Sequence, residues 1–148
     1  MAAGFPAAAE ALRGDKTAIA AEAVEAAGAR DPELRRRFTD RGMANLLHDA
    51  EMITERLAMC LAGGDTRWLP EFVEWMSPIL RRRGVAQADL AAVVEAVREI
   101  ASPRLGPDER ELADRALDAT VEVLRKNGRV GGDSHKRNAL LRWLYRGV

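Results

Sequence analysis

The chain has 148 residues, 47% of them hydrophobic, and its 23 Lys and Arg cancel its 23 Asp and Glu. That length supports one ordinary domain with a proper core, and the apolar content excludes a chain disordered throughout. Balanced charge argues against a dedicated nucleic-acid binder, and a single cysteine gives neither an intramolecular disulfide nor a zinc framework.

Helical signals dominate, and no segment alternates with period two for long enough to require a strand. Residues 1–14, Ala-rich with Gly and Pro, read as a flexible arm. The opening MAAGFPAAAEALRG lacks the basic start and unbroken apolar run of a secretory signal. No stretch approaches the roughly 20 apolar residues that span a bilayer, so a cytoplasmic protein is expected. The helical domain is expected over 15–128. A first helix runs from about Lys16 to Ala27, capped by Asp15 and stopped by Gly28. Asp31-Pro32-Glu33 starts a short helical turn that ends near Phe38.

The central helix, about Met43 to Ala62, carries Leu46, Ala50, Ile53, Leu57 and Cys60 along one face. Gly63-Gly64 ends it, and Asp65 opens the next unit. Helix Trp68–Arg83 turns Leu69, Phe72, Val73, Met76, Ile79 and Leu80 inward. Pro70 fits its first turn, whereas Pro78 removes the bond to the Glu74 carbonyl and should bend the helix. After Gly84, a helix at about Ala88–Ala101 presents Leu90, Val93, Val94, Val97 and Ile100. Another begins at Gly106-Pro107 with acids at its positive end and closes at Lys126-Asn127-Gly128. Residues 129–148 then give a joint and a C-terminal amphipathic helix, His135 to Arg146. The expected fold is all-α, a compact bundle of five to seven helices.

Catalytic constellations are missing from this pattern. His48 and Cys60 lie twelve positions apart on one helix, about 18 Å along its axis, so they cannot form a dyad. His48 with Glu51, and Glu51 with Glu55, are helical neighbours, but two such ligands without a second His make a weak metal site. No phosphate loop, dinucleotide fingerprint or nucleophile elbow is present. The expectation is a protein with no enzyme activity and no metal. Arg35–Arg37 and Arg81–Arg83 sit at helix ends, where cations complement the dipole.

The aromatics need more explanation. Phe72 and Met76 belong on the inward stripe, but Trp75 falls beside it and needs a covering helix, subunit or ligand.

Residues 57–90, LAMCLAGGDTRWLPEFVEWMSPILRRRGVAQADL, carry a recognisable pattern. It runs through Leu57, Gly64, Asp65, Phe72, Val73, Trp75, Leu80, Arg83, Gly84, Val85, Asp89 and Leu90. It resembles the non-haem globin modules of stressosome scaffold proteins, and those that precede cobalamin-binding domains in light-responsive regulators. The wider superfamily includes haem globins and bilin-binding phycobiliproteins. The resemblance implies a globin-like sensory or regulatory domain, often dimeric, with a pocket for a bilin, another tetrapyrrole or an apolar ligand. Three departures narrow that implication. No histidine occurs between Leu61 and Asp133 to serve as a proximal haem ligand, and the pattern's usual Tyr before the Trp is missing. Cys60, on the apolar stripe, is poorly placed for covalent bilin attachment.

Two expectations stand side by side. In one, Trp68, Phe72, Trp75, Met76 and His48 line a tetrapyrrole pocket beside the Trp68–Arg83 helix, with Arg81, Arg82 and Arg83 available for propionates. In the other, the domain binds no ligand. It meets a second copy or a downstream signalling protein through Trp75 and the terminal helix, where Leu140, Leu141, Trp143, Leu144 and Tyr145 are too apolar for free solvent.

Overall fold

The helix Asp40–Gly63 organises the fold, which is seen in a computed structural model describing residues 4–128. The α-helices are α1 (Pro6–Gly14), α2 (Lys16–Arg30), α3 (Leu34–Arg37), α4 (Asp40–Gly63), α5 (Trp68–Arg82), α6 (Gln87–Ala101) and α7 (Pro107–Gly128). A 3-10 turn, Ser102–Arg104, links the last two, and no strand occurs among the described residues. This is a globin-like, all-helical bundle. Helix α4 touches α1, α2, α5, α6 and α7, so it is the common support of the others.

Local chemistry explains where α4 begins and ends. The Thr39 hydroxyl accepts a 3.0 Å bond from the Gly42 amide, satisfying one of the free donors of the first turn. Gly64 adopts φ 65°, a left-handed conformation that costs a glycine little, and closes the last turn. Between these ends, Leu46, Ala50, Ile53, Leu57 and Cys60 are all buried, as their spacing requires. At the start of α7, Glu109 reaches back to accept from the Gly106 amide at 2.9 Å, the reciprocal half of a capping arrangement.

The N-terminal segment departs from the expected flexible arm. Residues 6–14 form α1, which packs on α4 and buries Ala8, Ala9 and Leu12. Alanine supplies little area but permits close approach and favours the helix, and Pro6 stands at its first position, where no amide bond is lost. The approach is closer still just before it. The Phe5 amide donates to the Leu61 carbonyl at 2.6 Å, and a Cβ on Gly4 would meet the Ala62 carbonyl oxygen at 2.0 Å. Helix α2 also runs past Gly28 to Arg30, because α4 and α6 supply tertiary packing that a lone glycine does not outweigh.

Helix α5 continues through Pro78 to Arg82, and Gly84 with φ 79° follows it. The Glu74 carbonyl, freed by the missing Pro78 amide, belongs to an exposed residue. On the opposite side, the Ser77 hydroxyl donates to the Val73 carbonyl at 2.9 Å and accepts from Asn127 at 3.0 Å, tying α5 to α7. Two ion pairs fasten the helix ends. Arg37 grips Asp89 with two bonds of 3.1 and 2.7 Å, and Arg83 reaches Asp49 at 3.0 Å. Among the described residues, no helix is long and apolar enough to cross a membrane. The expected joint and terminal helix, with Leu140, Leu141, Trp143, Leu144 and Tyr145, lie outside the described residues.

Candidate functional site

Helix α5 divides the aromatic residues by face. Phe72 and Met76 point inward at 7% and 5% exposure, whereas Trp68 and Trp75 stand at 45% and 67%. Phe72 and Trp75 lie with ring centroids 6.3 Å apart, and the Arg56 guanidinium of α4 caps the Phe72 ring at 4.4 Å. A cation over a ring face at that distance contributes about 0.5–1 kcal/mol at a surface site. His48 is exposed on α4 and borders a small hollow of ≈ 150 Å³ that Lys16, Met52 and Arg56 also line. A continuous path therefore runs from His48 through Arg56 and Phe72 to Trp75.

The rest of the expected lining does not join that path. Met76 is built into the core, and Arg81 and Arg82 stay exposed at the far end of α5. Trp68 and Arg82 are fourteen positions apart, roughly 21 Å along the axis, too far to hold one small molecule from a single side. Arg83 is occupied by Asp49, whose own carboxyl is pushed above the usual range by burial and drawn back by the Arg83 charge. The expected set is thus spread over three environments rather than gathered around one void.

A larger concavity lies elsewhere, between α2, α3 and α4. It is a half-open groove of ≈ 640 Å³ lined by Val24, Glu25, Leu34, Arg35, Met43 and Leu47, among others. Its origin is local. Ala21 and Gly28 present almost no side chain on α2, and Pro32 lies in the turn that joins α2 to α3. The space between the helices is left unfilled. Periodicity directs attention to the buried stripe of α4, whereas Leu47 sits one position to its flank and Met43, one turn earlier, is only partly buried. That i, i+4 apolar pair, running off the stripe at Leu47, is the available signal. Arg35 is the cation at the mouth of the groove, and Arg37, two positions on, is instead committed to Asp31 and Asp89.

Cys60 is fully buried on α4 beneath the start of α5, and burial pushes its thiol pKa up. A protonated, enclosed thiol is a packing atom and a poor nucleophile. Among the described residues, no three His, Cys, Asp or Glu side chains converge to hold a metal ion.

Against known families, the sequence model of the phycobilisome proteins matches residues 6–124, from the first residue of α1 almost to the end of α7. No curated protein matches the chain.

Proposed function

Because the chain belongs to the phycobilisome protein family, a globin-like, bilin-binding family of non-enzymatic light-harvesting proteins, we propose that it is a non-enzymatic sensory or regulatory domain that holds a tetrapyrrole without a covalent bond. The observation that carries this reading is the groove between α2, α3 and α4. Its ≈ 640 Å³ falls within the roughly 300–1,000 Å³ usual for small-molecule sites. Val24, Met43 and Leu47 offer apolar walls for a flat conjugated ligand, and Arg35 offers a charge-assisted bond to a propionate.

Covalent attachment as a thioether does not fit these residues. The chain's single thiol is enclosed in the core and held protonated, and it does not line the groove. Axial ligation of haem iron fits poorly too, since His48 lies outside the groove and no histidine occurs from Leu61 to Asp133. What remains is shape and charge recognition of an open-chain or cyclic tetrapyrrole. A cytoplasmic regulator fits the resemblance across residues 57–90, with a setting like that of stressosome scaffolds or of modules ahead of cobalamin-binding domains.

The test is titration of the purified chain with biliverdin and with haem, recorded by absorbance. The expected result is a saturable change that Arg35→Gln weakens roughly tenfold, the loss of one charge-assisted contact. Flat spectra for both ligands would remove the tetrapyrrole. A second reading, a ligand-free interaction module, is favoured by the exposure of Trp75 at 67%.

A further inference from the structure

The outward face of α5 has an order that neither the core nor the groove uses. Trp68, Glu71, Trp75, Pro78 and Arg82 recur at spacings of three, four, three and four, the seam spacing of paired helices, and all five are exposed. Phe72, one position aside, is buried, so the seam is a true second face of the helix rather than the edge of the first. Among the described residues, neither the Glu71 carboxylate nor the Arg82 guanidinium makes an ion pair within 4 Å, and the Glu71 charge acts only at longer range on Arg67, which is itself paired with Asp65.

The charges along this seam complement themselves. Glu71 and Arg82 lie equally far from the midpoint between Trp75 and Pro78, on opposite sides of it. A two-fold axis through that midpoint sets α5 antiparallel to a second α5. Each Glu71 then faces Arg82 of the other copy, and each Trp75 indole faces the other Pro78 ring. Such an isologous contact repeats every interaction twice. A parallel pairing would set Glu71 against Glu71 and Arg82 against Arg82, so the charges select the antiparallel form. Proline also suits the centre of this contact. Its exposed ring presents a compact apolar surface there.

We propose that the outer face of α5 is a self-association surface, pairing antiparallel with α5 of a second copy of this chain through Trp75–Pro78 and Glu71–Arg82 contacts. A single pair of 15-residue helices is small beside standard stable interfaces, so the dimer is reversible and concentration-dependent. Nothing in this pairing depends on the tetrapyrrole, since none of the five residues lines the groove.

Sedimentation equilibrium of the full chain, from micromolar to near-millimolar concentration, tests it. The chain is expected to follow a monomer–dimer equilibrium, and Trp75→Ala to weaken it at least tenfold, in line with a central aromatic anchor. Glu71→Arg and Arg82→Glu should each weaken association, because each places like charges together twice. The double variant Glu71→Arg/Arg82→Glu should restore it to near the original strength. Circular dichroism confirms that these exposed substitutions leave the helices intact. A monomer at every concentration, a dimer indifferent to Trp75→Ala, or a double variant as weak as the singles overturns the proposal. Unchanged biliverdin spectra in any of these variants bear only on the groove, so the two readings fail separately.

Discussion

The groove between α2, α3 and α4 and the outer face of α5 both leave apolar side chains uncovered, yet they do so in opposite shapes. The groove is concave where Ala21 and Gly28 bring almost no side chain to its wall. The α5 face is a ridge because Trp68 and Trp75 project from a helix whose other side is already satisfied by the core. Concave apolar surface can desolvate most of a small molecule, whereas a ridge can be desolvated only by another macromolecular surface. The same hydrophobic effect thus suits the two regions to different occupants.

The largest expected effect removes what the two regions share. Leu57 is fully buried on α4, which forms one wall of the groove and supports α5 from below. Leu57→Ala should cost about 2–5 kcal/mol in chemical denaturation, with ligand binding and association lost in the same transition. Separate transitions would mean that the regions belong to independent units.

Next comes the tie between α5 and α4. Replacing Arg83 with Met strands the Asp49 carboxylate, which is only 4% exposed, and should cost roughly 1–3 kcal/mol at neutral pH, discounted because Arg83 itself is partly solvated. The pH dependence fixes the sign. Burial raises the Asp49 pKa above 3.8, so its contribution is full below that value and declines as pH rises through the raised pKa. Losing the Arg83 charge raises it further. The variant's deficit in a denaturant titration should therefore be greatest near neutrality and shrink on acidification.

A crossed pair of substitutions sharpens the contrast directly. Leu47→Glu should weaken biliverdin binding about tenfold while leaving the sedimentation profile unchanged, because a charge now faces apolar groove wall. Trp75→Ala should do the reverse. If either substitution moves both readouts equally, the groove and the ridge are one site.

The smallest effect lies at the loop that positions the ridge. Asp65 is held at a pKa of about 2, chiefly by hydrogen bonds from the Arg67 side chain and backbone. A depressed carboxyl pKa contributes stability above the ordinary value near 3.8 and loses it as pH falls toward 2. Asp65→Asn should lower the melting temperature slightly at pH 7, and the difference should shrink below pH 4 and vanish only below pH 2, as followed by circular dichroism.

The bundle was largely legible because four of its helices carry strong amphipathic stripes with clear stops. The residues read as buried on α4 are all buried, and Gly64 and Gly84 adopt the left-handed backbone that ends those helices. Helix α1 escaped because Pro6 and Gly14 read as breakers, whereas Pro6 opens the helix and Gly14 is its last residue, with Ala8, Ala9 and Leu12 buried between them. The exposure of Trp75 was legible from its offset from the inward stripe. Its neighbours were harder to place, since periodicity gives a residue's face but not the distance between faces. Consecutive in sequence, Arg81 to Arg83 read as available to one ligand, whereas Arg83 is committed to Asp49. The groove was least legible because it results from absent side chains, and a sequence pattern records those that are present.

The most direct measurement loads the chain with biliverdin, then denatures it and weighs the intact polypeptide by mass spectrometry. The groove reading predicts an absorbance band in the native state, complete release of the chromophore on unfolding, and an unmodified 16.2 kDa chain. A chromophore that stays bonded to Cys60, or no native band at all, would contradict it.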